Sequence, residues 1–160
     1  MQREHTKPQI KTVFFKHDYY AAWCLKVVNS LLNKLDFKFV KCDKLQDADI
    51  VVEFRSNDDI VKSLGSEFDG LSAASLRGAS RFIYFNKERF INPPRHFPNK
   101  VLYRRYLVRH EFIHTLGVPH RAANGGKCSI MTHQTKLEDN CLPNDEFIPG
   151  DIEFIRNNIN

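Results

Sequence analysis

Between His110 and His120 the chain places three histidines, one glutamate and one glycine at spacings that suit metal-assisted hydrolysis. His110 and His114 are four residues apart, so on an α-helix they stand one turn above the other on one face. Both imidazoles can then reach a single ion. Glu111 sits beside the first, where its carboxylate can reach a water on that ion without being a ligand. Gly117 lets the chain leave the helix through a positive φ. Pro119 keeps the exit extended, and His120 can swing back as a third ligand. Three protein ligands leave one tetrahedral position open, the arrangement of a catalytic zinc rather than a structural one. His110, His114 and His120 are therefore the expected ligands of a Zn2+ cofactor, and Glu111 the expected general base. The plain alternative is an amphipathic helix with surface histidines and an incidental glutamate. The length of the pattern argues against it.

These side chains need a helix and a turn to hold them. Asn99 can cap a helix running from about residue 100 to 116. Val101, Val108, Phe112 and Thr115 lie on one side of it, with Tyr103, Leu107, His110 and His114 on another. Upstream, residues 9–15 read as a strand. An amphipathic helix follows over about 19–35, with Trp23, Val27, Leu31 and Leu35 at helical spacing and Asp18 as its expected N-cap. Phe37, Phe39 and Val40 suggest a second strand. Residues 49–54 suggest a third, whose continuous run Ile50-Val51-Val52 points to burial on both faces. A helix between strands argues for partly parallel pairing. Residues 56–78, rich in Ser, Gly and Asp, read as connection, with a turn at Phe68-Asp69-Gly70 and a small-residue segment after it. Residues 81–85 form a short strand. Pro93, Pro94 and Pro98 mark a loop, and Asn124-Gly125-Gly126 a turn. A last helix spans about 150–158.

The chain has 160 residues with 42% hydrophobic and 27% charged, enough for a single domain with a core. No apolar run approaches the roughly 18 residues of a membrane span. The first ten residues lack the apolar centre of a signal peptide, so the chain works inside a cell or has lost a leader. Net charge is +5. Arg104, Arg105 and Arg109 contribute to it and read as a solvated helix face, because no nucleic-acid motif accompanies them. His5, His17 and His96 lie far from the motif and are not expected as ligands. Cys24, Cys42, Cys128 and Cys141 form no CxxC pair, which speaks against a structural zinc knuckle. Cys128 and Cys141 bracket a short segment. A bridge there would contribute about 3 kcal/mol at best, and in a reducing compartment both would remain thiols. The sequence leaves the two states open, and Cys128 could also reach the metal.

The full pattern HExxHxxGxxH, followed by Ser129-Ile130-Met131 as a Met-turn, resembles the metzincin clan of zinc metalloproteases. Residues 48–54, Phe68-Asp69-Gly70, residues 81–89 and Tyr106-Leu107-Val108 are most similar to matrixin-like catalytic domains. The Met-turn is closer to astacin-like and serralysin-like families. The resemblance implies an α+β, metzincin-like zincin fold over residues 1–160. Its upper part (about 9–117) would hold a twisted mixed sheet with two long helices, the second carrying the zinc motif. A small irregular lower part (about 118–160) would hold the third histidine, the Met-turn and the last helix. A protein or peptide substrate would lie extended in the cleft between them, pairing with an edge strand at about residues 82–85. The chain departs from the relatives in three places. Arg121 follows the third histidine, where matrixin-like proteins usually carry serine. His133 stands where astacin-like and serralysin-like proteins carry a tyrosine beyond the methionine. No HxD cluster for a second zinc and no calcium site is evident.

The expected activity is a zinc-dependent endopeptidase in which Glu111 moves the proton and His133 assists at the oxyanion. Met131 is expected as an apolar floor rather than a ligand. The alternative is an inactive zinc-binding module of the same fold that recognises peptides. A monomer without membrane or nucleic-acid partners is expected. Substrate preference, latency and localisation are not readable.

Overall fold

The computed structural model describes residues 7–76, 81–123, 125–136 and 140–159. Four strands form early in the chain or feed directly from it: β1 (Gln9–Phe15), β2 (Phe37–Lys41), β3 (Ile50–Arg55) and β5 (Arg81–Asn86). A two-residue β4 (Ala73–Ala74) completes a sheet of order β2-β1-β3-β5-β4. β1 pairs in parallel with β2 and β3, and β3 with β5, whereas β4 runs antiparallel to β5. The helices are α1 (Ala21–Leu32), α2 (Asn57–Leu64), α3 (Lys87–Ile91), α4 (Lys100–His114) and α5 (Asp151–Asn158). This is the expected mixed sheet with two long helices.

The core lies on one side of the sheet. Val13, Phe15, Phe39, Ile50, Val52, Ile83 and Phe85 meet Val28, Leu31 and Leu32 of α1 and Val108 and Phe112 of α4. Phe39 and Phe112 meet edge to face, their centroids 5.1 Å apart. Along β3, Ile50, Val52 and Phe54 are buried while Val51, Glu53 and Arg55 are only half-buried. Burial on both faces of β3 is therefore corrected: α1 and α4 cover one face, and the strand alternates as a half-covered sheet does.

Other local expectations change as well. Asp18 does not cap α1. The cap position belongs to Tyr20, at φ 61° with no side-chain cap. Its ring packs 5.9 Å from Phe54 and 5.0 Å from Phe90. That packing holds a left-handed backbone which a non-glycine residue otherwise avoids. Asp18 instead pairs with Lys41 at 3.1 Å. Residues 56–78 are not all connection. Ser56 Oγ accepts from the Asp59 amide at 3.2 Å and caps α2, whose first turn carries Asp58 and Asp59. The segment 82–85 is interior, flanked by β3 and β4, so the edge on that side is Ala73–Ala74.

α4 starts as expected, with Asn99 Oδ1 accepting from the Leu102 amide at 2.8 Å. Val101, placed by spacing on the same side as Val108 and Phe112, is 56% exposed, whereas those two are buried. From Tyr106 to His114 every residue is buried. The arginines of this helix do not form a solvated face. Arg104 Nε donates to the Phe90 carbonyl at 2.8 Å, and Arg105 pairs with Asp145 at 2.9 Å. Arg109 is buried and donates to Val27 O (3.1 Å), Ser30 Oγ (2.9 Å) and Asp145 O (2.8 Å). It ties α4 to α1 and to the segment before α5.

After α4 there is little regular structure, and side chains replace it. Cys128 and Cys141 are disulfide-bonded, so Cys128 is no metal ligand, while Cys24 and Cys42 are free thiols. Gln134 Nε2 donates to Ser129 O (3.0 Å) and Asn144 O (2.9 Å), and its Oε1 accepts from the Asn144 amide (2.9 Å). Buried backbone groups that no ladder satisfies find partners in this way. Among the described residues no helix is long and apolar enough to cross a membrane.

Candidate metal centre

α4 ends at His114, and Gly117 follows at φ +93° with its amide bonded to the His114 carbonyl at 2.9 Å. That turn brings His120 back over the end of the helix. His110 Nδ1 lies 2.7 Å from the Ile130 carbonyl, and His114 Nδ1 lies 2.7 Å from the Val118 carbonyl. A carbonyl only accepts, so each Nδ1 carries the proton and each Nε2 presents a lone pair. The Nε2 atoms of His110 and His114 are 3.0 Å apart, and those of His110 and His120 are 3.3 Å apart. One nitrogen from each of the three rings falls within 4.8 Å of the others. Two nitrogen ligands of a tetrahedral zinc, each at about 2.05 Å, would be about 3.3 Å apart.

The electrostatics agree with that donor set. Burial, then the charge of neighbouring histidines, pushes the His110 imidazole well below its ordinary range and His114 down to about 4. Burial and His133 lower His120 as well. The rings therefore stay neutral near pH 7, the form that binds metal. Glu111 is 5% exposed, and its Oε2 is buried with no hydrogen-bond partner. Burial alone pushes this carboxyl up to about 8. An orphaned carboxylate oxygen is expensive in a protein interior. A cation nearby would favour the ionised form and relieve that cost. The residues present thus fit a divalent metal.

The histidines and Glu111 open on a cleft of about 290 Å³, walled by Leu71, Ala73, Ala74 and Leu76 on the β4 side and by Tyr106 and Thr135 opposite. His133, the other residue expected in the site, is half-buried on this cleft, its ring 5.3 Å from that of His120 at 80°. Met131 is wholly buried in a tight turn in which the Thr132 amide bonds to Ser129 O at 3.0 Å. His17 stacks near Tyr19, and His96 Nε2 meets the Gln134 carbonyl at 2.6 Å, so neither joins the cluster. His5 lies outside the described residues.

A family model described as "Protein of unknown function (DUF3152)" matches residues 23–158. This chain belongs to the DUF3152 family. No curated protein matches this DUF3152 member. Among solved structures, the crystal structure of myroilysin is similar to it, with 12% sequence identity and a TM-score of 0.57. The match covers 98% of this chain and 87% of that one. Identity so low speaks to the fold alone, and the fold shared with myroilysin is metzincin-like. The DUF3152 chain therefore places its three histidines on a metzincin-like scaffold, where they could hold a metal ion.

Two residues of the surroundings were given no role by the sequence, although Arg121 stood out as a departure. Asp151 is fully buried at the start of α5, and Arg121 pairs with it at 2.6 Å. The only hint was that a charged residue directly follows the third histidine.

Proposed function

We propose that this protein is a zinc-dependent endopeptidase. The observation that carries the reading is the convergence of three imidazole nitrogens within 4.8 Å on a cleft that also holds the unpartnered Glu111 carboxyl. His110, His114 and His120 would hold the metal. When bound, zinc supplies a Lewis acid that lowers the pKa of a water towards about 7 and polarises a peptide carbonyl.

The remaining chemistry belongs to the chain. Glu111 accepts the proton of the attacking water and passes it to the departing amine, so one carboxylate serves first as base and then as acid. Its place next to His110 on the same cleft puts the carboxyl within reach of a water at the three imidazoles. His133 stands beside His120 on the cleft wall and donates an N–H to the oxygen on which negative charge develops. The substrate backbone adds to the sheet at β4, whose outer side is the sheet's edge by the cleft.

The test is digestion of a peptide library by the wild type and by Glu111→Gln, each with and without chelator. Cleavage lost on chelation, restored by Zn2+ and absent in Glu111→Gln is expected. Zinc-loaded wild type that retains peptides without cutting them would assign the chain to the inactive recognition module instead.

A further inference from the structure

We infer that Asp151 and Arg121 are positioning residues of the metal centre, an ion pair between a fully buried carboxylate and a half-buried guanidinium that orients two of its three ligands. The inference rests on the reading that His110, His114 and His120 hold a metal.

Asp151 has no exposed surface, and both of its carboxylate oxygens are in use. Oδ1 accepts from Arg121 Nη1 at 2.6 Å and from the Ser129 hydroxyl. Oδ2 accepts from the Ile148 amide at 2.9 Å and, more weakly, from the Ile130 amide at 3.5 Å. The guanidinium also reaches Pro149 O at 3.3 Å. Gly150 leaves room for it: a Cβ there would sit 2.7 Å from Arg121 Nη2, on a backbone at φ +89°. A carboxylate this deep is tolerated only when its lone pairs are met, and here charge and hydrogen bonds meet them together.

The pair reaches the metal ligands by two routes. Ser129 and Ile130 open the turn at Met131, and the Ile130 carbonyl receives the Nδ1–H of His110 at 2.7 Å. Holding Ile130 by its amide end therefore aims the carbonyl that fixes the ring of His110. On the other side, Arg121 directly follows His120. Its amide bonds to Met131 O at 2.9 Å and its carbonyl accepts the Thr132 hydroxyl at 2.8 Å. The backbone bearing the third ligand is thus bonded to the same turn. His114, whose Nδ1 bonds to Val118 within its own loop, is outside this network. Outer partners of metal ligands typically govern affinity by about 10–100-fold.

The experiment measures Zn2+ affinity by competition with a fluorescent chelator, alongside the visible spectrum of the Co2+-loaded protein and the melting temperature of the metal-stripped protein. The variants are Asp151→Asn, Arg121→Gln and Arg121→Lys, with the exposed Asp18→Asn as control. Asp151→Asn should weaken Zn2+ binding by about tenfold or more and alter the Co2+ bands. Arg121→Gln should weaken binding less, Arg121→Lys should recover part of the loss, and Asp18→Asn should match the wild type. If Asp151→Asn does not fold, the two Arg121 variants decide. Wild-type affinity and wild-type Co2+ bands in Asp151→Asn and Arg121→Gln, with only the melting temperature lowered, would overturn the inference. Failure of the wild type itself to bind Zn2+ would instead remove the metal reading beneath it.

Discussion

Glu111 is kept in a place where a carboxyl group is hard to keep. One of its oxygens is buried without a partner, beside three neutral imidazoles. Glu111→Gln therefore has effects of opposite sign. Cleavage should fall by about 10²–10⁴-fold, the usual contribution of a general base. The metal-stripped protein should be no less stable, since the variant removes a poorly solvated acid. Melting curves and peptide turnover on one preparation check both, and a large loss of stability would show that Glu111 has a structural partner after all. The cysteines give a second test at this scale. Burial pushes the Cys24 thiol up to about 12, so almost none is thiolate at pH 8. Cys42 is also raised, but it lies near the surface. Without reductant, a thiol-reactive chromophore at pH 8 should count one thiol in the native protein and two after denaturation. Cys24 should gain reactivity only as the pH climbs towards 12.

At the scale of elements, α4 is held by contacts that make its two neighbouring arginines unequal. Arg109 side-chain exposure is 5% and that of Arg105 is 36%, although both reach Asp145. Arg109→Ala takes the guanidinium from the buried Asp145 carbonyl and from Val27 O, which keeps only the Ser30 hydroxyl, and should cost about 3 kcal/mol or more. Arg105→Ala should cost under about 1 kcal/mol. Urea denaturation of both variants gives the comparison, and equal losses would refute this account of the strap. The same pair explains what could be read from the chain. The metal motif was legible because His110 and His114 are spaced by one helical turn with Glu111 beside the first, and Gly117 names its own turn. Arg109 was not, because Val27 is 82 positions away and no local pattern announces such a partner. α2 escaped because it spans only eight residues, so Ile60, Val61 and Leu64 make a face too short to repeat. The true edge by the cleft escaped because two alanines are too short and too weakly β-prone to mark a strand, so the aromatic run 82–85 took its place.

For the whole molecule, a metal held by the three histidines would act as a brace between parts. His110 and His114 come from α4, while His120 comes from the loop that is bonded to the turn at Met131. Binding to the folded form alone adds about 4 kcal/mol when free ion is about 1,000 times Kd. In a chain of this size that corresponds to a melting point about 8–16 °C higher. Calorimetry before and after chelation measures it, and an unchanged melting point would count against any metal at this site. The two-layer arrangement was legible in outline, because parallel strands need crossovers and the helical spacing of 19–35 supplies one. Beyond Gly117 the last helix was legible too, but what holds the irregular part together was not, since side chains such as Gln134 carry its connections.

The bridge between Cys128 and Cys141 encloses the turn that carries the Ile130 carbonyl and Met131. Its loop of 13 positions corresponds to about 3 kcal/mol of chain entropy. A sample whose thiols never oxidised would therefore differ from an oxidised one beneath the three histidines, not merely at its periphery. Material from a reducing host would hold its metal less firmly and turn over more slowly, until air or a disulfide exchanger restored it. The history of the preparation becomes part of any specific activity assigned to this chain.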